Sequence, residues 1–157
     1  MKFALSLTLA AVALLFFMIG RTSAQNSTLH PQTRDNLSTA MHGEAFAFAK
    51  YTLYAQHARQ SGHPQLAQLF ARTARVERLQ HFAEEARLAG LIGSDADNLK
   101  DAVKGESYEI ETMYPGFAKQ AAAIGDQAAA KRFEEIRHDE MGHLKAYQAA
   151  LHALEMK

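Results

Sequence analysis

Five glutamates and one histidine stand in otherwise apolar stretches, where a charged side chain is costly to bury. They are Glu44, Glu77, Glu106, Glu109, Glu140 and His143. Glu106 and Glu109 are three residues apart, as are Glu140 and His143, so each pair projects from one face of a helix. Several carboxylates are buried together only when they are protonated, ion-paired or bound to cations. The pattern therefore predicts a site for two divalent metal ions, and the competing interpretation is a solvated, salt-bridging face.

The composition restricts the kind of site that the chain can build. The sequence has 157 residues, which suits a single domain, and it has no cysteine. The lack of cysteine excludes disulfides, zinc–thiolate sites, iron–sulfur clusters and cysteine nucleophiles. The formal net charge is zero, so no nucleic-acid partner is expected. Any metal must be held by oxygen and nitrogen ligands, which suit iron or manganese.

Helices must position these residues, because the sequence is 48% hydrophobic, has only 3 prolines and shows helical periodicity. We expect four helices over about 36–60, 64–89, 98–123 and 126–154. Gly62 and Gly90 are expected to end the first two helices, and Pro64 suits the start of the second. Pro115 should kink the third helix, and Asp126 should cap the fourth.

The two halves of this pattern repeat with an offset of 62 or 63 residues. The repeat pairs Gly43-Glu44 with Gly105-Glu106, Gly62 with Gly125, Phe70 with Phe133, and Glu77 with Glu140. Two similar helical hairpins imply a pseudo-twofold bundle. Single glutamates on two helices, combined with Glu-x-x-His on the others, are typical of ferritin-like di-metal bundles. The predicted fold is therefore an all-α, ferritin-like four-helix bundle.

Longer stretches around the glutamates carry a family resemblance. They are Gly43-Glu44 followed by Tyr51, Asn98-Leu99-Lys100 leading to Gly105-Glu106-Ser107-Tyr108-Glu109, Met113-Tyr114-Pro115 with Phe117-Ala118-Lys119, and Glu140-x-x-His143 followed by Tyr147. In these stretches the chain resembles the rubrerythrin family over about residues 36–154. The resemblance implies that the five glutamates and His143 bind two iron ions, with Glu77 and Glu140 bridging them. It also implies that Tyr51 and Tyr114 donate hydrogen bonds beside the metals, and the competing interpretation of these tyrosines is core packing.

The second helix departs from that family's pattern. The position that matches His143 is Gln80, and His81 follows one residue later. His81 is then about 100° further round the helix, so it reaches the metals only if the helix is overwound or bulged. In the resembled family, the histidine at the position of Gln80 takes over one iron from the extra acid of the third helix when the metals are reduced. Because Gln80 replaces that histidine, we expect Glu109 to hold this iron in both oxidation states. Ligation by Gln80, ligation by His81, and packing of His81 on a neighbouring helix are the alternatives.

The N-terminal segment is typical of a secretory signal. Lys2 precedes an apolar run over residues 3–19, and the small residues that end at Ala24 suit a cleavage site. We expect 1–24 to be a signal peptide, 25–34 a linker and 35–157 the di-iron domain. The protein is then exported, with the periplasm as the expected location. The alternative is an uncleaved anchor formed by residues 3–19.

The connector between the second and third helices predicts an exchanged dimer. These helices extend past the metals by about 20 Å and about 12 Å. A connector that returns along a ferritin-like bundle must then span about 32 Å, whereas residues 90–98 reach at most about 28 Å. We therefore expect the first hairpin of one chain to pair with the second hairpin of another in a homodimer.

The family resemblance implies a non-haem di-iron oxidoreductase that reduces hydrogen peroxide to water. Two iron ions are the expected cofactor, with manganese or a mixed pair as the alternative. The family's rubredoxin-like iron centre needs four cysteines and is therefore missing, so an external electron donor is expected. A ferroxidase that uses peroxide or oxygen to scavenge iron, and a metal-binding bundle without turnover, are the alternative functions.

Overall fold

Four helices make up nearly all of the residues that the computed structural model describes, which are 29–156. Helix α1 is Pro31–Gln60, and helix α4 is Gln127–Glu155. Helix α2 covers 64–89 and consists of Pro64–Val76, the π-helical turn Glu77–Phe82 and Ala83–Ala89. Helix α3 covers 95–123 and consists of Asp95–Tyr108, the π-helical turn Glu109–Met113 and Tyr114–Ala123. No strand occurs in this part of the chain, and the predicted all-α fold class is confirmed.

The first hairpin begins earlier than the sequence pattern indicated. Helix α1 starts at Pro31 rather than near Asn36, because proline in the first turn already has a helical φ angle and lacks only an unpaired N–H. The linker predicted over 25–34 therefore overlaps the helix. Gly62 and Gly90 follow α1 and α2 with φ angles of 78° and 67°, a left-handed conformation in which glycine avoids Cβ strain.

The connector between the hairpins is shorter than predicted. Only residues 91–94 lie between Gly90, which ends α2, and Asp95, which begins α3. Helix α3 starts there because the hydroxyl oxygen of Ser94 accepts a hydrogen bond of 3.2 Å from the backbone N–H of Asp97. At the start of α4 the expected cap is absent, since the side chain of Asp126 makes no capping hydrogen bond.

A π-helical turn interrupts both α2 and α3 beside the candidate ligands. Such a turn holds one residue more than an α-helical turn. In α3 the turn Glu109–Met113 ends two residues before Pro115. Proline has no N–H, and its ring collides with the carbonyl group four residues earlier in a regular helix. A widened turn therefore includes the carbonyl group that the ring of Pro115 would meet in a regular helix, and the kink stays a prediction.

Each hairpin is closed by a seam of alanines. The buried residues are Ala55, Ala58, Ala67, Ala74 and Ala86 in the α1–α2 hairpin, and Ala118, Ala121 and Ala130 in the α3–α4 hairpin. An aromatic cluster lies along each seam, formed by Tyr51, Tyr54 and Phe70 in the first hairpin and by Tyr114, Phe117 and Phe133 in the second. The members of the two clusters differ by 63 residues in number, which agrees with the predicted repeat.

The two hairpins stand apart in the single chain. Among residues 29–156, no helix of the first hairpin has a Cα atom within 8 Å of a helix of the second. No side chain larger than alanine is buried in this range. Each hairpin therefore has an apolar face that the same chain leaves uncovered.

The described helices give no indication of a transmembrane segment. Within residues 29–156, none is long and apolar enough to cross a bilayer. The predicted signal peptide or anchor, residues 1–24, lies outside the described range.

Candidate metal centre

Glu44 of α1 and Glu77 and His81 of α2 form a cluster within the first hairpin. The Nδ1 atom of His81 lies 2.8 Å from Oε2 of Glu77 and 3.6 Å from Oε1 of Glu44. One ligand atom from each side chain lies within 4.8 Å of the other two. This spacing allows all three residues to bind a single metal ion.

The π-helical turn Glu77–Phe82 explains why His81 belongs to this cluster. The turn accommodates one extra residue, so the fourth residue after Glu77 takes the place that the third residue takes in a regular helix. His81 thus remains on the face of Glu77 and points towards Glu44 on the neighbouring helix. The local bulge that the sequence required for His81 to act as a ligand is present.

Glu106, Glu140 and His143 form the matching cluster in the second hairpin. The Nδ1 atom of His143 lies 2.5 Å from Oε2 of Glu140 and 3.9 Å from Oε1 of Glu106. Ligand atoms of the three side chains again lie within 4.8 Å of one another. Here α4 is a regular helix, and the three-residue spacing of Glu140 and His143 is sufficient to place both on one face.

In both clusters the carboxylates are largely buried and the imidazoles are open. The side chains of Glu77 and Glu140 are 13% and 15% exposed, whereas those of His81 and His143 are 50% and 59% exposed. The histidines therefore lie at the uncovered edge of each hairpin. Each cluster has the form of half a site whose other side is missing.

The environment of Glu106 disfavours the charged form of its carboxyl group. Burial raises the pKa of its carboxyl group, and the carboxylates of Glu140 and Glu109 raise it further, while His143 opposes them. Its Oε2 atom is buried and has no hydrogen-bond partner. A cation would stabilise this unpaired oxygen and neutralise the repulsion. The donor set and this buried oxygen therefore fit a bound metal ion.

The two tyrosines lie in the aromatic clusters, and one of them is also close to the carboxylates. Tyr51 and Tyr114 each contact aromatic side chains of their own hairpin. The pKa of Tyr114 is raised by burial and by the negative charges of Glu109, Glu140 and Glu106. Core packing thus describes both tyrosines, and Tyr114 in addition lies within electrostatic reach of the second cluster.

Related proteins share most of the length of this chain. The sequence profile of the family described as Rubrerythrin matches residues 35–151. The chain belongs to the rubrerythrin family. A rubrerythrin of Porphyromonas gingivalis is 34% identical over an alignment of 147 positions, which covers 86% of this chain and 74% of the relative. Nigerythrin of Nitratidesulfovibrio vulgaris is 32% identical over an alignment of 145 positions, which covers 84% of this chain and 72% of the relative.

Solved structures of rubrerythrin-family proteins are also similar. A nigerythrin structure described as the partially reduced state is 32% identical and covers 86% of this chain and 73% of its own, with a TM-score of 0.41. Among related sequences, symerythrin of Cyanophora paradoxa is 26% identical over an alignment of 159 positions, which covers 83% of this chain and 88% of the relative. Membership of the rubrerythrin family agrees with the predicted ferritin-like fold class.

In the second helix of this rubrerythrin-family chain, Gln80 and His81 lie on different faces. The Gln80 side chain is exposed and lines a shallow groove on another face of α2. His81, which the sequence argument ranked below Glu109 as the ligand for that iron, is the residue that contacts Glu44 and Glu77. The geometry therefore favours His81 over Gln80, because the π-helical turn corrects the register that a regular helix would impose.

Glu109 lies beside the second cluster rather than in it. The groups of closely spaced ligand atoms include Glu106, Glu140 and His143 but not Glu109. Glu109 is half-buried at the start of the π-helical turn in α3, and its charge raises the pKa of both Glu106 and Tyr114. It is thus placed as an additional carboxylate at the edge of the rubrerythrin-type site.

The π-helical turns were missed in the sequence, although the repeat offset contained a signal for them. The offset is 62 residues from Glu44 to Glu106, 63 from Glu77 to Glu140, and 62 again from His81 to His143. Each change in the offset coincides with a π-helical turn, first in α3 and then in α2. A one-residue change of offset within a helical repeat therefore indicates a bulge that holds the inserted residue.

Proposed function

We propose that this rubrerythrin-family chain is a non-haem di-iron oxidoreductase that reduces hydrogen peroxide to water. The observation that carries the proposal is the pair of Glu-Glu-His clusters at matching positions of two hairpins. Two such clusters that face each other offer six ligands of mixed carboxylate and imidazole type. This ligand set suits iron or manganese and leaves open positions for a small oxidant.

Iron supplies the redox chemistry, and the chain supplies the ligands and the control of charge. When bound, two ferrous ions provide the two electrons that convert hydrogen peroxide and two protons into two water molecules. Glu44, Glu77, Glu106 and Glu140 offset the positive charge of the ions. His81 and His143 would add neutral nitrogen ligands through their Nδ1 atoms, which face the glutamate oxygens of the same cluster.

Proton supply is the task of a residue beside the ligands. The hydroxyl group of Tyr114 keeps its proton to higher pH than an ordinary tyrosine, because burial and three nearby carboxylates raise its pKa. Tyr114 is therefore placed to donate a hydrogen bond beside the second cluster, as the rubrerythrin resemblance implies for both tyrosines.

The source of the electrons and the cellular location of the protein are further parts of this proposal. The sequence has no cysteine, so it offers no thiolate-bound iron centre of its own, and an external donor must return two electrons per turnover. We propose that residues 1–24 direct export to the periplasm, where that donor would act. The test of export is the N-terminal sequence and the cell fraction of the mature protein.

The proposed reaction is tested by anaerobic loading of the full chain with ferrous iron, followed by stopped-flow mixing with one equivalent of hydrogen peroxide per pair of irons. The appearance of ferric absorption is measured. We expect rapid oxidation at two irons per site. Glu140→Ala should abolish it, whereas Glu135→Ala, which removes an exposed glutamate from the same helix, should leave it unchanged.

A second phase of the experiment separates the peroxidase from the alternatives. With excess peroxide and an added reductant, repeated turnover without further iron uptake supports peroxide reduction. Consumption of many ferrous ions per site, with ferric product accumulating, indicates a ferroxidase instead. Oxidation that is slow and indifferent to Glu140→Ala contradicts both enzymatic functions and leaves a metal-binding bundle.

A further inference from the structure

The faces that carry the glutamates are apolar and uncovered in the single chain. Tyr147 and Leu154 follow Glu140 by two and four helical turns on the same face of α4, yet they are 37% and 38% exposed. Leu66, three turns before Glu77 on α2, is 43% exposed. A helical hairpin with a seam of alanines and exposed leucines lacks the apolar burial that normally stabilises a domain. Another layer of helices must cover these faces.

The second hairpin of the same chain cannot supply this layer in the ferritin-like topology. From Glu77 to Ala89 helix α2 extends about 18 Å beyond the cluster, and from Asp95 to Glu106 helix α3 extends about 17 Å on the other side. A connection that returns along the bundle must therefore span about 35 Å. The six residue steps from Ala89 to Asp95 reach at most about 22 Å.

The observed helix ends make this mismatch larger than the sequence suggested. The connector is short because Ser94 caps α3 so early, which leaves 91–94 as the non-helical residues. The connector does not form a tight turn that packs α3 against α2 either, since α2 and α3 have no Cα atoms within 8 Å of each other in the described range. Both hairpins are therefore open to a partner.

We propose that two copies of this chain exchange hairpins, so that each metal centre is shared between them. Glu44, Glu77 and His81 of one copy then complete the site with Glu106, Glu140 and His143 of the other. The proposal rests on the di-metal site of the proposed function, but not on its reaction with peroxide. One dimer contains two complete centres, and a single chain contains none.

The charges of the two faces give the exchanged dimer a further property. Both clusters are acidic, and Glu109 adds another carboxylate. Without a cation, the two faces therefore repel each other where the clusters meet. Metal ions bound between them remove the repulsion, and they bind the associated state, with six ligands, more tightly than a separate hairpin with three. By linkage, metal binding stabilises the dimer.

The first test is complementation between two variants of the full chain. Glu44→Gln/Glu77→Gln disables the first hairpin, and Glu106→Gln/Glu140→Gln disables the second. Each variant alone should bind almost no ferrous iron. When they are unfolded and refolded together, random pairing restores one intact centre in each mixed dimer, or about a quarter of the wild-type metal content. No gain in bound metal over the separate variants, from chains that refold, contradicts hairpin exchange.

The second test changes the length of the connector and measures mass by light scattering. Twelve glycine and serine residues inserted between Ile92 and Gly93 add up to about 40 Å of reach. The wild-type chain should be a dimer of 17.4 kDa subunits, and this variant should become a monomer with the same metal content per chain. The same insertion after Gly125, in the turn within the second hairpin, should leave the dimer intact.

The two measurements separate this inference from the proposed function. A wild-type monomer that binds two metal ions per chain overturns the exchange and leaves the di-iron site standing. A dimer that the Ile92–Gly93 insertion converts to a monomer supports the exchange, even if its iron proves inactive towards peroxide.

Discussion

The two hairpins place equivalent sets of ligands with different helical geometry. Each brings two glutamates and one histidine together, and each packs a matching aromatic cluster along an alanine seam. In the second hairpin His143 follows Glu140 by three residues on a regular helix, whereas in the first hairpin His81 follows Glu77 by four across a π-helical turn. The comparison shows that the ligand positions in space are equivalent although the spacing in sequence is not.

The largest effect is expected from a deletion that changes the spacing in the regular helix. Removing Gly142 turns His143 by about 100° away from Glu140, because α4 has no extra residue to absorb the loss. Loss of an outer hydrogen-bond partner alone weakens metal binding 10- to 100-fold, so loss of this ligand should weaken it by at least about 100-fold. Ferrous iron titration under anaerobic conditions measures this change.

The matched deletion in the first hairpin should be tolerated. Removing Gln80 deletes the inserted residue, so α2 becomes regular and His81 stays on the face of Glu77 at a spacing of three. Metal affinity should then change by less than about tenfold. If the Gln80 deletion is as damaging as the Gly142 deletion, the π-helical turn is not the feature that aligns the two half-sites.

The second difference between the hairpins is the additional carboxylate of Glu109. The matching position in the first hairpin is Ala47, so only the second hairpin carries a third acid. Glu109→Ala should weaken metal binding by about 10- to 100-fold, as expected for a residue beside the ligands. Glu111→Ala, at an exposed position of the same π-helical turn, is the control and should have no effect. Equal affinities for the two variants would show that Glu109 takes no part in the site.

Much of this arrangement could be predicted because it depends on local sequence. Helical periodicity located four helices, and the glycines at Gly62 and Gly90 marked the ends of two of them within a residue. The choice between Gln80 and His81 could not be made in this way, because it depends on a backbone bulge. A bulge is stabilised by packing between helices, which spacing in a single helix does not report.

The electrostatic difference between the hairpins predicts a pH dependence of the metal-free protein. The folded-state pKa of Glu106 is raised above its ordinary value of 4.5, so the folded protein holds a proton that the unfolded chain has lost. The free energy of unfolding should therefore fall as pH rises from about 4.5 through the raised pKa. Urea unfolding at a fixed chain concentration measures this slope.

Replacement of Glu106 tests whether this group causes the slope. Glu106→Gln cannot titrate and removes one charge from the cluster with Glu140 and Glu109. The fall in stability with pH should become shallower in this variant, and the metal-free protein should be more stable at neutral pH. An unchanged slope would assign the pH dependence to another carboxylate.

The smallest expected effect concerns the tyrosines at matching positions of the two hairpins. Because burial and the charges of Glu109, Glu140 and Glu106 raise the pKa of Tyr114, this hydroxyl should be among the last to ionise in a titration followed by tyrosinate absorbance. Tyr114→Phe should remove that late component and keep the contacts with Phe117 and Phe133.

Metal loading sharpens the same comparison, because a cation neutralises the glutamates but leaves Tyr114 buried. Its pKa should therefore fall when the protein is loaded with a redox-inactive divalent ion, yet remain above the ordinary value of 10.0, since burial is the larger cause of the shift. Tyr51→Phe, the matching change in the first hairpin, should leave this late, metal-sensitive component in place. If the component survives Tyr114→Phe instead, the late, metal-sensitive ionisation belongs to a different tyrosine, and Tyr114 is not the group on which the carboxylates of the second hairpin act.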